Sequence, residues 1–311
     1  MIITALAGGV GAARFLTGLV RKIPEEDLTI ISNTGDDIEL YGLHVSPDID
    51  IVVYTLAGIV DKRKGWGIQD DTFNSLNMLE AYGYDTWFRV GDKDLATHVF
   101  RTFLLKQGVP LSATVENLSK ALEIKARIIP MSEERVETRV RTNEGTMHLQ
   151  EYLVKRNCIP RVKAIEYAGL ESAQPAAGVI DSILASDGVI ICPSNPFVSI
   201  GPILALKGVR ESLKTSRAKK IAITPLIAGR PVKGPLDKML AGLGLEVSSS
   251  TIAGLYKDFI DVFVLDKIDR VEIDRIENYG VKAVTAKTLM KGLKDKIKLA
   301  EVVLKEVALD D

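Results

Sequence analysis

Two early runs of this sequence put chemistry-bearing residues where an apolar segment gives way to a turn. Gly8-Gly9-Val10-Gly11-Ala12-Ala13-Arg14 follows the apolar run Ile2–Ala7. Its glycines let backbone N–H groups approach a phosphate at the positive end of a following helix. Asn33-Thr34-Gly35-Asp36-Asp37 pairs two carboxylates at the end of a second β-run, Leu28–Ser32, and Pro47-Asp48-Ile49-Asp50 adds two more. Carboxylate oxygens in such turns suit a hard cation such as Mg²⁺, which in turn binds substrate phosphates. The plainer reading is a tight turn at the glycines, a solvated acidic turn, and Asp48 or Asp50 capping the helix that follows.

Later loops extend the set. In Pro193-Ser194-Asn195-Pro196 through Pro202, prolines stiffen the chain while Ser194, Asn195 and Ser199 supply donors and acceptors for a nucleotide. The run Pro225–Pro235 carries Arg230 and Lys233 beside glycines, cations of the kind that neutralise a diphosphate. Trp66 in Gly65-Trp66-Gly67, and Trp87-Phe88-Arg89, offer flat apolar surface for a heterocycle with Arg89 at its polar edge. Packing is the ordinary role of such aromatics, as a structural role is for a lone helical histidine such as His98. GxxxxGK[ST] occurs nowhere, and in a GxGxxG read from Gly9 the third glycine is Arg14.

These loops need a scaffold that brings strand ends together. The order strand (Ile2–Ala7), helix (about 12–22), strand (Leu28–Ser32) implies parallel pairing through a right-handed crossover. The alternation resumes with a helix at 178–185, a strand at 189–192, a helix at 201–213, a strand at 220–224 and a helix at 236–243. Strands at 261–265 and 282–285 follow, then a final helix over about 286–307 with Leu289, Leu293, Ile297, Ala300, Leu304 and Val307 on one face. Between the two halves, 74–82, 94–107 and 112–123 read as helices, and 136–142 with 146–154 as a hairpin around Asn143-Glu144-Gly145. The expected fold is α/β, a Rossmann-like three-layer core with a mostly parallel sheet. Residues 1–311 form a single domain, in which 61–165 is an inserted helix and hairpin subdomain, an elaboration or lid at the carboxyl edge of the sheet.

Composition narrows the function. The chain has 311 residues, 46% of them hydrophobic, with a net charge of −1. That balance argues against disorder and against a nucleic-acid binder, which carries a basic excess. Cys158 and Cys192 are too few and too distant for a disulfide framework or a CxxC zinc site, and three histidines do not make a histidine-rich metal site. The N-terminal apolar run lacks the basic start of a signal peptide and is broken by glycines. No stretch reaches the ~20 apolar residues of a membrane span. A cytoplasmic globular protein is the expectation.

Taken in order, Leu6–Phe15, Asn33–Asp37, Pro47–Asp50, Tyr54-Thr55-Leu56-Ala57-Gly58, Gly65-Trp66-Gly67, Gly91–His98 and Pro193–Pro202 resemble the 2-phospho-L-lactate transferase family over nearly the whole chain. The resemblance implies transfer of a phospholactyl group from lactyl-2-diphospho-5'-guanosine to a hydroxyl of the deazaflavin Fo. The products are F(420)-0 and GMP, in coenzyme F(420) biosynthesis. It implies Mg²⁺ as cofactor and a homodimer, and it places Asp50 and Arg89 against Fo. Trp87 joins them on the Fo side. Gly8, Gly9, Gly11, Asn33, Ser194, Asn195, Ser199 and Lys233 are then expected around the guanosine diphosphate part (GDP or GMP as analogue or product). Asp36, Asp37 and Asp50 are the expected metal ligands, and Asp36 and Asp50 the expected catalytic pair.

Two rivals stand against this reading. A sugar-nucleotide-binding regulator of the same superfamily would share the glycine and acidic turns but not the Gly65–Gly67 and Trp87–His98 segments. An NAD-dependent oxidoreductase would need a fuller glycine fingerprint and an acid at the second strand's end, where Ser32-Asn33 stands.

Overall fold

The computed structural model describes residues 1–308. Seven strands form one sheet, parallel throughout: β1 (Ile3–Ala7), β2 (Leu28–Ser32), β3 (Arg127–Pro130), β4 (Gly188–Ile191), β5 (Lys219–Ile223), β6 (Val262–Asp266) and β7 (Lys282–Ala286). Their spatial order is β7-β6-β5-β4-β1-β2-β3, so the chain winds outward from β1 in one direction and from β4 in the other. The reversal between β1 and β4 is the topological switch point, where flanking loops diverge and leave a crevice beyond the carboxyl ends of the strands.

Both faces of the sheet are covered, and the strands show why. Ile3, Ala5 and Ala7 of β1 point into one core with Ile190, Ile221, Ile223, Val262 and Val264. Leu6, Val189, Ile191, Ala222, Phe263 and Leu265 point into the other. The period-2 pattern is apolar on both faces, the signature of a strand with helices on each side. Helices α1 (Gly9–Leu19), α2 (Pro47–Leu56), α5 (Leu111–Ala121) and α12 (Leu293–Ala308) pack on the first face. On the second lie α6 (Val179–Ala185), α7 (Gly201–Ala205), α8 (Val209–Thr215), α9 (Leu236–Gly242), α10 (Ser249–Tyr256) and α11 (Ile273–Glu277). The remaining helices are α3 (Asn74–Ala81) and α4 (Asp92–Lys106).

Several sequence expectations shift. The stretch 61–165 is not wholly an addition to the sheet, because β3 lies inside it and pairs with β2 as the edge strand. The single helix expected over 201–213 is two, separated where Leu206 is extended and Gly208 takes φ 83°. The final helix starts only at Leu293, since the Asp266 carboxylate binds the Thr288 N–H (2.8 Å) and hydroxyl (3.0 Å) and holds the preceding segment out of helical conformation. The expected hairpin pairs Glu137–Thr142 with only Gly145–His148, and Val162–Ala168 adds a third antiparallel strand. Residues Glu151–Lys155 form a π-helical turn instead of continuing the strand. That turn matters for the site, because the segment around it supplies wall residues to two cavities.

Candidate active site

The glycine turn sits at the switch point. Gly8 ends β1 in an extended conformation and precedes α1, and Gly9 has φ 71°. A Cβ on Gly11 would collide with the Pro193 carbonyl beyond β4, and one on Gly8 would lie 2.5 Å from Asp48 Oδ2 and 2.6 Å from Ser199 Cβ. Glycine is therefore required here by close packing of two strand-end loops. Ser194 Oγ donates to the Gly8 carbonyl at 2.7 Å and locks the loops together.

Between these loops opens a cavity of about 250 Å³, walled by Gly8, Gly9, Gly11, Ser194, Asn195 and Ser199, with Asp36 and Asp48 at one side and Arg14 and Lys233 at another. Partial desolvation and the Arg14 cation push the Lys233 ammonium below its usual range. Two neighbouring cations at one side of a glycine-lined cavity supply positive charge suited to a polyanion. The Asn195 side chain accepts from Phe197 N at 3.0 Å within its own loop and donates through Nδ2 to Met239 Sδ on α9 at 3.3 Å.

The acidic residues divide in a way the sequence did not predict. Asp36 and Asp48 are both buried and both line the first cavity. Burial, then the charges of Asp48 and Asp37, push the Asp36 carboxyl well above the usual carboxylate range. Burial pushes Asp48 up to about 7, with Asp37 adding to it and hydrogen bonds from Asn33 and Gly9 opposing it. Asn33, expected to touch nucleotide, lies instead beneath the carboxylates. Its Nδ2 donates to Asp48 Oδ2 (2.9 Å), Asp36 Oδ1 (3.3 Å) and the Val198 carbonyl (3.2 Å).

Asp37 points elsewhere. Its Oδ2 meets His44 Nε2 at 2.9 Å and accepts from Ser46 Oγ at 2.8 Å, and it borders a separate cavity with His44 and Arg135. Asp50 is bound by the Arg101 guanidinium through both oxygens. The predicted metal set Asp36, Asp37 and Asp50 is thus not one cluster. Among the described residues the sole trio of candidate ligands with atoms within 4.8 Å of one another is Asp50, Asp94 and His98.

A second cavity, about 330 Å³, takes its walls from Asp50, Tyr54, Trp66, Trp87, Phe88, Arg89 and His98, with Gln150 and Val154 from the π-helical segment. Arg89 stacks over the Phe73 ring at 4.4 Å, and Trp87 meets Phe88 edge-on. The two cavities are neighbours. Gln150, in the wall of the second, donates through Nε2 to Asp36 Oδ2, in the wall of the first, at 2.9 Å. Helix α2 supplies Asp48 to one and Asp50 to the other.

Sequence reasoning named Gly8, Gly9, Gly11, Ser194, Asn195, Ser199 and Lys233 for the nucleotide and Asp36 for metal and catalysis, and all of them line the first cavity. Asp50, Trp87 and Arg89 converge on the second. It weighed Asp48 for a cation site or a helix cap without assigning it a role, and it missed Gln150 and Arg101. A signal for Arg101 was present: Asp94, His98 and Arg101 recur at helical spacing, a polar stripe on a helix face that is buried.

Fold and site together define a doubly wound α/β protein with a glycine-lined crevice at its switch point and an aromatic cavity beside it. Residues 3–302 match the family model for 2-phospho-L-lactate transferase CofD. The chain is 42% identical to a phosphoenolpyruvate transferase of Streptomyces griseus, covering 91% of each chain. It is 38% identical to the 2-phospho-L-lactate transferase of Methanosarcina mazei (96% of this chain, 98% of the relative) and 40% identical to that of Methanosarcina acetivorans (96% and 97%). A crystal structure of a UPF0052-family protein from Bacillus halodurans superposes with TM-score 0.66 over 97% of this chain and 98% of that one, at 15% identity, a likeness of fold. The chain belongs to the 2-phospho-L-lactate transferase CofD family.

Proposed function

We propose that this chain transfers a 2-phospho-L-lactyl group from lactyl-2-diphospho-5'-guanosine to the hydroxyl of the deazaflavin Fo, giving F(420)-0 and GMP. The observation that carries the reading is the pair of adjoining cavities, one cationic and glycine-lined, the other aromatic, joined through Asp36 and Gln150. A transfer between two bulky substrates needs such a junction. The guanosine diphosphate part of the donor lies in the first cavity, its diphosphate between the Gly8–Gly11 N–H groups, Arg14 and Lys233. The flat ring of Fo lies against Trp66, Trp87 and Phe88, with Arg89 at its polar edge.

The residues also fit Mg²⁺. Asp36 and Asp48 are buried hard-oxygen donors whose carboxyls are raised first by burial and then by neighbouring carboxylates, and a divalent cation beside them would offset both. When bound, the ion would withdraw charge from the transferring phosphoryl oxygens. The rest is positioning. A phosphoryl transition state is loose and spreads charge over its equatorial oxygens, so backbone N–H groups and cations stabilise it more than any strong base does. Asp50, fixed by Arg101, accepts the hydrogen bond of the Fo hydroxyl and takes its proton as the bond to phosphorus forms and the bond to GMP breaks. No covalent enzyme intermediate is required.

The test is incubation of purified protein with Fo, Mg²⁺ and each diphospho-guanosine donor, followed by product masses. The reading expects F(420)-0 and equimolar GMP. Relatives named phosphoenolpyruvate transferase stand at similar identity to those named phospholactate transferase, which supports a second reading with the enolpyruvyl donor. The product of that donor is lighter by two hydrogens. No product with either donor, together with tight binding of a UDP-sugar, would instead favour a regulatory sugar-nucleotide binder. A homodimer is the proposed assembly, checked by light scattering.

A further inference from the structure

One buried group behind the second cavity, in contact with its wall residues Asp50 and His98, is not used by the scheme above except as a tether. Arg101 is the largest fully buried side chain among the described residues, with 0% exposure. Its guanidinium meets both Asp50 oxygens, and Nη1 also reaches the His44 carbonyl and His98 Nδ1, each at 3.3 Å. A guanidinium can only donate, so His98 Nδ1 must be the acceptor and the imidazole proton must sit on Nε2. Nε2 in turn lies 3.4 Å from Asp94 Oδ1, an ion-pair distance without a formed hydrogen bond, and the same oxygen accepts from the Tyr54 hydroxyl at 2.7 Å. Tyr54, Asp94, His98, Arg101 and Asp50 thus form one polar network on α2 and α4, in which Arg101 donates to both His98 and Asp50 and Asp50 lines the cavity.

The network sets a guanidinium beside the Asp50, Asp94 and His98 trio, a positive charge that competes there with a divalent cation. It is also a poor device for stability alone. A buried ion pair costs desolvation that apolar residues of equal volume would avoid. What it does deliver is a carboxylate with a fixed orientation, each oxygen retaining lone pairs for a ligand hydroxyl.

We propose that Arg101 and His98 are positioning residues that hold Asp50 as an oriented hydrogen-bond acceptor for a hydroxyl-bearing ligand in the second cavity. Neither need touch the phosphate chemistry. Arg101 is wholly buried and acts through Asp50, and His98 acts by accepting from Arg101 and so fixing its rotation. The assignment of the ligand as the deazaflavin rests on the proposed function.

The experiment is a pair of titrations, GDP by calorimetry and Fo by fluorescence, on wild type, Arg101→Lys, His98→Leu and His98→Asn, with the histidine tautomer read by ¹⁵N NMR. Arg101→Lys keeps the charge but loses two-point contact, and Fo affinity should fall at least tenfold with GDP affinity within twofold. His98→Leu should do the same, whereas His98→Asn, whose amide oxygen stands near the Nδ1 position, should recover to within threefold of wild type. In wild type, the resonance lost in His98→Asn should be that of the Nε2–H tautomer. Should Arg101→Lys fail to fold, the two His98 variants leave the ion pair in place and decide alone. Unchanged Fo affinity in His98→Leu, equal losses in His98→Leu and His98→Asn, or a proton on Nδ1 would overturn the proposal. A wild-type chain that binds GDP but no Fo overturns the acceptor reading itself, and the purpose assigned to the network with it.

Discussion

Asp48→Asn should make the metal-free protein more stable while disabling it. In the folded chain Asp48 is buried beside Asp36 and within reach of Asp37, and its carboxyl is pushed from 3.8 up to about 7. Below pH 3.8 both folded and unfolded chains hold the proton, and the carboxyl contributes nothing. As pH rises from there to 7, the unfolded chain releases the proton while the folded chain keeps it. The folded state then binds more protons, so stability falls with rising pH, and above 7 the full penalty is present. The difference of roughly 3 pKa units corresponds to at most about 4 kcal/mol, shared with Asp36 because the two carboxyls titrate as a pair. Asparagine keeps an oxygen for Asn33 Nδ2 and cannot ionise. At pH 8 in EDTA, thermal melts should place the variant above wild type by up to about 8 °C at roughly 2 °C per kcal/mol, and the gap should close toward pH 4. Added Mg²⁺ should raise the wild-type Tm by mass action and leave the variant unmoved. A variant less stable than wild type at pH 8, or a gap that does not depend on pH, would refute the reasoning.

Three further perturbations separate the parts of the site. Gly11→Ala drives a Cβ onto the Pro193 carbonyl, so overpacking should cost about 1–3 kcal/mol and GDP affinity should drop more than tenfold, both read from one thermal-shift titration. Arg89→Ala removes the cation over Phe73 at the aromatic cavity, and Fo affinity should weaken about tenfold, roughly the worth of one charged hydrogen bond, with GDP binding intact. Lys233→Gln should weaken GDP by about ten- to a hundredfold and flatten the salt dependence of its binding, since one phosphate-neutralising cation is gone. Equal loss of Fo and GDP in either of the last two would show that the cavities are not separable.

The parallel core was legible because two-sided burial writes itself into the strands: Leu28, Ile30 and Ile31 of one and all of Val189–Ile191 in another are apolar, and each strand ends in a turn. The glycine turn was legible for a related reason, since only a residue without Cβ fits where Gly8 and Gly11 meet Ser199 and Pro193. Boundaries fixed by distant partners were not. Nothing local to 286–292 says that Asp266 will capture Thr288 and delay the last helix, and nothing local to Gly201–Leu213 outweighs its helical period except Gly208.

The same division runs through the acidic residues. Four aspartates lie close in sequence, and proximity alone assigned three of them to one ion. Their actual fates depend on what each meets after folding: Asp36 and Asp48 meet one another, Asp37 meets His44, and Asp50 meets Arg101 from a helix about fifty residues later. On α2, Asp48 and Asp50 stand two positions apart and therefore point in different directions, roughly 200° around a helix. That angle is what sends one carboxylate to the glycine-lined cavity and the other to the aromatic one. A first turn that reads as redundant capping thus stands between two cavities, and each acid has its own surroundings where a single cap would have sufficed.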